Sequence, residues 1–183
     1  MLVVDEREQL PVAEARAGSP EAWDILFKRY QLPLYVYVFE LLRDQQASLD
    51  AVQETFINAV RYIGNLREDS KFPGWLFGIA HQKCIQQWRK SSREKAFFNE
   101  QFEATDEYDD APSELLIRTE QQAEFMKLVN QLPLPQRSVL LLHFVEDFSL
   151  EEIAAITEAQ LGTVKSRLHY AKKALRKLIQ DNV

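Results

Sequence analysis

The stretch SLEEIAAITEAQLGTVKSRLHYAKKALRKL, Ser149 to Leu178, decides the fold. It opens with a capping box. The Ser149 hydroxyl can accept the N–H three residues on, and Glu152 can reach back to the serine's own N–H. The short helix started there has Ile153, Ala154 and Ile156 to bury. A few residues later, near Ala159 or Gln160, a second helix begins. Within it Val164, Leu168, Ala171, Leu175 and Leu178 fall on one face at helical spacing. Thr163, Ser166, Arg167 and Tyr170 point the other way, flanked by Lys165, His169, Lys172, Lys173 and Arg176. A short helix, a tight turn and an amphipathic helix with a basic outer face make a helix-turn-helix pattern. An α-helix fits the major groove, where short hydroxyls and the arginine fork suit base edges. Lysines at the rim neutralise phosphates and release counterions. The same pattern also describes a helical hairpin with a solvated basic side.

That basic helix stands in an acidic chain of formal net charge −6. Gly162 to Lys177 contains no acid. Glu100 to Glu124 carries nine (Glu100, Glu103, Asp106, Glu107, Asp109, Asp110, Glu114, Glu120, Glu124) against Arg118. A second basic run, Lys83, Arg89, Lys90, Arg93 and Lys95, precedes them. One charged run reads as a solvated face; two basic runs split by an acidic one favour a polyanion partner.

The 183 residues and 46% hydrophobic content suit one ordinary domain or two small ones. Eleven Phe and three Trp oppose wholesale disorder. No apolar run approaches the ~20 residues that span a bilayer, so no membrane insertion is expected. MLVVDEREQL lacks a secretory pattern. Cys84 stands alone, which fits a reducing compartment. The expected location is the cytoplasm.

The periodicity predicts an all-α chain of two small helical domains joined by an acidic linker, the C-terminal one a helix-turn-helix. Ser19-Pro20-Glu21 reads as an N-cap, a proline in the first turn and an acid to match the helix dipole. Trp23, Leu26, Phe27 and Tyr30 share the face that follows. Leu34 to Leu42 reads as a further helix after Pro33. Leu49 to Ile63 reads as another, with Val52, Phe56, Ala59, Val60 and Ile63 as its stripe and Gly64 to end it. After the polar NLREDSK, FPGWLFGIAHQKCIQQWRK predicts a long helix with Pro73 in its first turn. The pattern dissolves after Lys95. Helix resumes at Ser113, breaks at Leu132–Pro135 and covers Ser138 to about Glu146. The expected bounds are 1–96, a linker at 97–112, and 113–183.

EEIAAITEAQLGTVKSRLHYAKKALRKL resembles the last region of bacterial RNA polymerase sigma factors of the extracytoplasmic-function (ECF) group. The upstream half is similar independently, in SPEAWDILFKRY, DAVQETFINAV and FPGWLFGIA followed by a basic WRK. The resemblance implies partners: core RNA polymerase, through the beta-prime clamp helices and the beta flap, promoter DNA, and an anti-sigma factor or other regulator. It implies that Asp50, Gln53, Glu54 and Phe56 dock on the polymerase. It implies that the loop from Asn65 to Lys71, with Phe72, Trp75, His81, Gln82 and Lys83, opens the −10 element, and that Arg89, Lys90 and Arg93 follow the backbone. Unstacked bases suit loop pockets and aromatics; plain core packing is the alternative for Phe72 and the better account of Trp75 and Trp88. Thr163, Lys165, Ser166, Arg167 and Tyr170 correspond to the −35 readers, with His169, Lys172, Lys173 and Arg176 beside them. The acidic linker either matches a basic channel of the polymerase or stays extended by self-repulsion.

The chain departs from the group in places. Ala47-Ser48-Leu49-Asp50 keeps one of three usual acids, which makes Ser48 or Thr55 a candidate for activating phosphorylation. His81-Gln82 replaces Arg-Asn. Glu158 replaces the glycine of the helix-helix turn, where a left-handed backbone costs about 1 kcal/mol. The competing reading is an ordinary helix-turn-helix regulator that binds DNA alone. An enzyme is a third class, but there is no phosphate-binding glycine loop and no HExxH. His81 and Cys84 lie one turn apart, short of the four ligands, or three plus water, that zinc takes. No catalytic residue, metal or cofactor is expected.

Overall fold

The protein, as a computed structural model, is described over residues 9–99 and 120–181. Among the described residues eight α-helices run in order: α1 (Val12–Arg16), α2 (Pro20–Leu42), α3 (Gln45–Tyr62), α4 (Phe72–Asn99), α5 (Glu120–Val129), α6 (Leu134–Phe144), α7 (Leu150–Thr157) and α8 (Leu161–Asp181). Among the described residues there is no strand. The expected helical start at Ser113 and most of the expected linker lie outside the described residues.

Local chemistry sets the boundaries. Ser19 Oγ accepts the Ala22 N–H at 3.2 Å and starts α2. That helix runs through Pro33, where a fresh start was expected. The proline forfeits one backbone donor, and Leu26 before it and Leu34, Tyr37, Val38 and Leu41 after it are all buried, holding both halves in place. Asp44 accepts the Ala47 N–H at 2.7 Å, so α3 starts at Gln45 rather than Leu49. Its stripe uses Ala51 and Thr55; Val60, expected inside, is 53% exposed. The long helix α4 continues past Lys95 to Asn99. Helix α6 begins four residues ahead of Ser138, because Pro135 sits in its first turn, where a missing N–H costs little.

The capping box of α7 is complete: the Glu152 N–H donates to Ser149 Oγ at 3.2 Å, and the Ser149 N–H to Glu152 Oε2 at 2.8 Å. Glu158 ends the helix at φ 51° and ψ 37°, the left-handed conformation expected of a glycine there. The turn that follows delivers α8 across α6 and α7.

Helices α1 to α4 form one bundle and α5 to α8 another, and the two bundles are packed together. Phe148 sets its ring edge-on to Phe77 of α4, centroids 5.2 Å apart. Ile156 of α7 covers Gly78, where an added Cβ would lie 3.9 Å from the Ile156 Cα and carbonyl oxygen. Arg137 of α6 donates to the Leu41 carbonyl at 3.1 Å and to the Asn130 carbonyl at 3.0 Å. The Asn130 amide reaches Glu40 at 3.3 Å. One continuous buried cluster therefore runs from Val12 to Leu175.

Candidate nucleic-acid interface

Helix α8 divides cleanly. Val164, Leu168, Ala171 and Leu175 are buried. Thr163, Lys165, Ser166, His169, Tyr170, Lys172, Lys173 and Arg176 are exposed, and Arg167 is half-buried. Tyr170, 57% exposed, stands edge-on to His169 with centroids 5.5 Å apart. Lys172 Nζ lies 5.1 Å from the Phe144 ring centroid, a cation–π contact. The result is an open cationic face, its hydroxyls and rings projecting, on a helix whose other side is fixed in the core.

The N-terminal candidates separate into open and covered groups. Lys71, Arg89, Lys90 and Arg93 are exposed, and the last three, with Gln86, line a shallow basic depression of about 410 Å³. Trp75, Gln82 and Lys83 are half-buried, and Lys83 Nζ sits 2.9 Å from Glu54. Phe72 is a core residue, fully covered among the rings of Trp23, Tyr30 and Trp75. That corrects its assignment as a promoter contact: its ring has no free face. Trp88, in contrast, is 46% exposed instead of packed.

His81 also needs correction. It is 5% exposed, with Nδ1 2.8 Å from the Tyr37 hydroxyl. Burial, with Arg167 nearby, pushes its pKa down to about 4, so the ring is neutral near pH 7. Burial pushes the Tyr37 hydroxyl well above its usual range. Tyr37 therefore keeps its proton, and its hydroxyl and the His81 Nδ1 share one hydrogen bond. Burial, rather than its protonation, keeps the ring from DNA in this arrangement.

The expected base-capturing loop, Asn65 to Lys71, is shaped by 3₁₀ turns at Ile63–Asn65 and Asp69–Lys71. Arg16 of α1 pins it, donating to the Leu66 carbonyl at 3.1 Å and to Asp69 Oδ1 at 2.5 Å. Sequence reasoning missed Arg16, because five residues of helix show no usable periodicity.

On α3, Asp50, Gln53 and Glu54 form an exposed acidic-polar patch. Leu49 and Ile57, 48% and 50% exposed, extend it with apolar surface that the sequence reading passed over. Phe56 lies beneath, 8% exposed and with its ring edge-on to Phe27 at 4.8 Å, so it supports the patch from below. Ser48 and Thr55 are fully buried, each hydroxyl turned back onto its own helix, to Asp44 O at 2.6 Å and Ala51 O at 2.7 Å. Neither is open to a kinase, which corrects their candidacy for phosphorylation.

Among the described residues, no helix is long and apolar enough to cross a membrane, and no three His, Cys, Asp or Glu side chains gather as a metal site. Cys84 is buried, its thiol pushed up to about 12.

Comparison with known proteins adds to this geometry. Residues 26–94 match the family model for sigma-70 region 2, and residues 122–175 match that for sigma-70 region 4. The RNA polymerase sigma-H factor of Pseudomonas aeruginosa is 31% identical, over 98% of this chain and 97% of that one. The ECF RNA polymerase sigma-E factor of Escherichia coli is 30% identical, over 94% of each. The sigma factor RpoE of Bartonella quintana, solved with the anti-sigma factor NepR, superposes with a TM-score of 0.70 at 26% identity, covering 86% of this chain and 96% of that one. CnrH, solved with the cytosolic domain of CnrY, shares the fold with a TM-score of 0.68 at 20% identity, over 94% of this chain and 96% of that one.

Proposed function

The chain belongs to the extracytoplasmic-function group of RNA polymerase sigma factors, and from that membership we propose a division of labour among its helices. As a sigma factor it binds core RNA polymerase and directs it to promoters to initiate transcription. In our reading, residues 1–96 dock on the beta-prime clamp helices and engage the −10 element. Residues 113–183 read the −35 duplex, and 97–112 connect the two. Asp50, Gln53 and Glu54, with Leu49 and Ile57, form the polymerase patch. Trp75, Gln82, Lys83 and the Lys71 loop meet the melted strand, while Arg89, Lys90 and Arg93 hold phosphates. Thr163, Lys165, Ser166, Arg167 and Tyr170 reach base edges in the major groove; His169, Lys172, Lys173 and Arg176 clamp the backbone.

The observation that carries this reading is the split of α8 into a buried apolar stripe and an exposed cationic face. No covalent chemistry is assigned to the chain, which works in the cytoplasm beside the polymerase. A sigma factor 26% identical to it was solved with an anti-sigma factor, and a regulator of that class is proposed here too. The test is transcription reconstituted from core polymerase and this chain, with start sites mapped. Promoter-specific initiation should require both components. Tight duplex binding by the chain alone, with no initiation on adding polymerase, would favour the simple helix-turn-helix regulator.

A further inference from the structure

The loop between α3 and α4 is held in shape from outside. Its 3₁₀ turns at Ile63–Asn65 and Asp69–Lys71 are each closed by a backbone bond. The Leu66 N–H donates to the Ile63 carbonyl at 3.1 Å, and the Lys71 N–H to the Glu68 carbonyl at 3.0 Å. Between the turns the chain runs extended, with Leu66 at φ −73°, ψ 117° and Glu68 at φ −126°, ψ 122°. Neither of these bonds fixes one turn against the other. Arg16 Nη2 does so. Its two hydrogens go to the Leu66 carbonyl at 3.1 Å, where the extended stretch begins, and to Asp69 Oδ1 at 2.5 Å, where it ends. One nitrogen thus sets the distance between the turns. Arg67 and Glu68, left between the two anchor points, are exposed at the tip, while the Leu66 side chain is buried.

The arginine is itself fixed. Helix α1 buries Val12 and Ala15, and the Trp23 indole N–H donates to the Ala15 carbonyl at 3.1 Å. Gly18, at φ 93°, turns the chain from α1 into α2, a conformation that glycine adopts without strain. Trp23 also stands edge-on to Phe72, centroids 6.4 Å apart, and Phe72 is where the loop enters α4. The middle of the loop and its far end are therefore tied to one small scaffold. An ion pair this open, with side chains 33% and 43% exposed, contributes little to stability. What it supplies is geometry. An unstacked base enters a preformed pocket at less ordering cost than it would incur on a mobile loop.

We infer that Arg16 is a positioning residue for promoter melting: by bridging the Leu66 carbonyl and Asp69 it holds the loop in the shape that receives an unstacked base of the −10 strand. The inference rests on the sigma-factor reading above, which sets this loop against the melted strand. It gives α1 a part in promoter opening although Arg16 acts through the loop and not on the base.

The test is the binding of wild-type and variant holoenzymes to single strands copied from the −10 region of a promoter with a mapped start site. Each strand is either intact or carries one abasic position. Removing the captured base should weaken the wild type. Arg16→Met keeps the apolar stem and removes the donors. It should bind the intact strand about ten-fold less tightly, as expected of a loop that is receptive about a tenth of the time. On the strand that lacks the captured base it should equal the wild type. Weakening by one factor on every strand, abasic ones included, is what a general loss of structure gives, and it overturns the positioning role. Unchanged binding of the intact strand overturns it too. Asp69→Ala should lose affinity at the same base, and adding it to Arg16→Met should change nothing further; additive losses overturn the clamp. If Arg16→Met does not fold, Asp69→Ala decides by the same comparison of strands. A wild type that binds every abasic strand as it binds the intact one overturns the loop's role and the clamp with it. A sensitive wild type matched by an equally sensitive Arg16→Met overturns the clamp alone.

Discussion

The Tyr37 hydroxyl of α2 is hydrogen-bonded to His81 Nδ1 of α4 across 2.8 Å, joining residues 44 apart in sequence within a buried pocket. The folded imidazole has its pKa pushed down to about 4, against 6.5 in the unfolded chain. The folded state thus binds fewer protons. Its full stability is present above pH 6.5 and is lost progressively as pH falls toward 4. Thermal melts from pH 4 to 7 should show His81→Gln losing less on the acid side than the wild type. Tyr37→Phe, which strips the hydrogen-bond partner from a buried nitrogen, should cost about 1–3 kcal/mol at pH 7. Parallel wild-type and His81→Gln curves would rule out His81 as the acid-sensitive group.

Glu146 behaves with the opposite sign. It follows α6 and is half-buried near Tyr37; burial, then Asp147, pushes its carboxyl up to about 7. The folded state binds more protons there, so stability declines as pH rises from about 4.5 to about 7. Glu146→Gln should exceed the wild type in melting temperature above pH 7, and the gap should close below pH 4.5. A constant gap across that window would show that Glu146 titrates normally.

Thr55 and Ser48 test the corrected view of α3. Both are 0% exposed and bonded to their own helix. Thr55→Glu buries an uncompensated carboxylate and should cost about 3–5 kcal/mol of stability. A phosphomimetic that kept the wild-type melting point and bound core polymerase more tightly would reinstate the phosphorylation switch.

Much of the fold was legible because the signals were local. Ser149 and Glu152 name a capping box three residues apart, and Val164, Leu168, Ala171 and Leu175 name a buried stripe. Ser19 and Pro20 likewise announce α2. The misreadings came from tertiary context. Pro33 looks like a break until Leu26, Leu34 and Tyr37 are seen buried around it. Phe72 looks like a base-stacking aromatic until Trp23 and Tyr30 enclose it. His81 reads as a polar substitute for arginine, and only the position of Tyr37 shows it sealed. The packing of Phe148 and Ile156 on Gly74 and Gly78 joins residues more than seventy apart, and no periodicity reports that.

The turn between α7 and α8 offers a cleaner measure of strain. Glu158 adopts φ 51° without the freedom of glycine. Glu158→Gly should stabilise the chain by up to about 1 kcal/mol, or about 2–4 °C in melting temperature for a domain of this size. A lowered melting point would mean that the glutamate side chain contributes more than its backbone costs.

Arg167 and Lys172 separate base reading from phosphate clamping on one helix. Arg167 lies half-buried at the base of the exposed face, while Lys172 stands at the rim against Phe144. In reconstituted holoenzyme, Arg167→Ala should cost about 1–3 kcal/mol on the preferred −35 sequence and relax choice at one base pair. Lys172→Ala should weaken all −35 sequences alike and reduce the salt slope by about 1. Arg167→Ala should also raise the His81 pKa, since the guanidinium is one of the two causes depressing it. A histidine proton titration followed by NMR would show this without any DNA. If Arg167→Ala and Lys172→Ala shift salt slope and base preference by the same amounts, the assignment of separate roles along α8 fails.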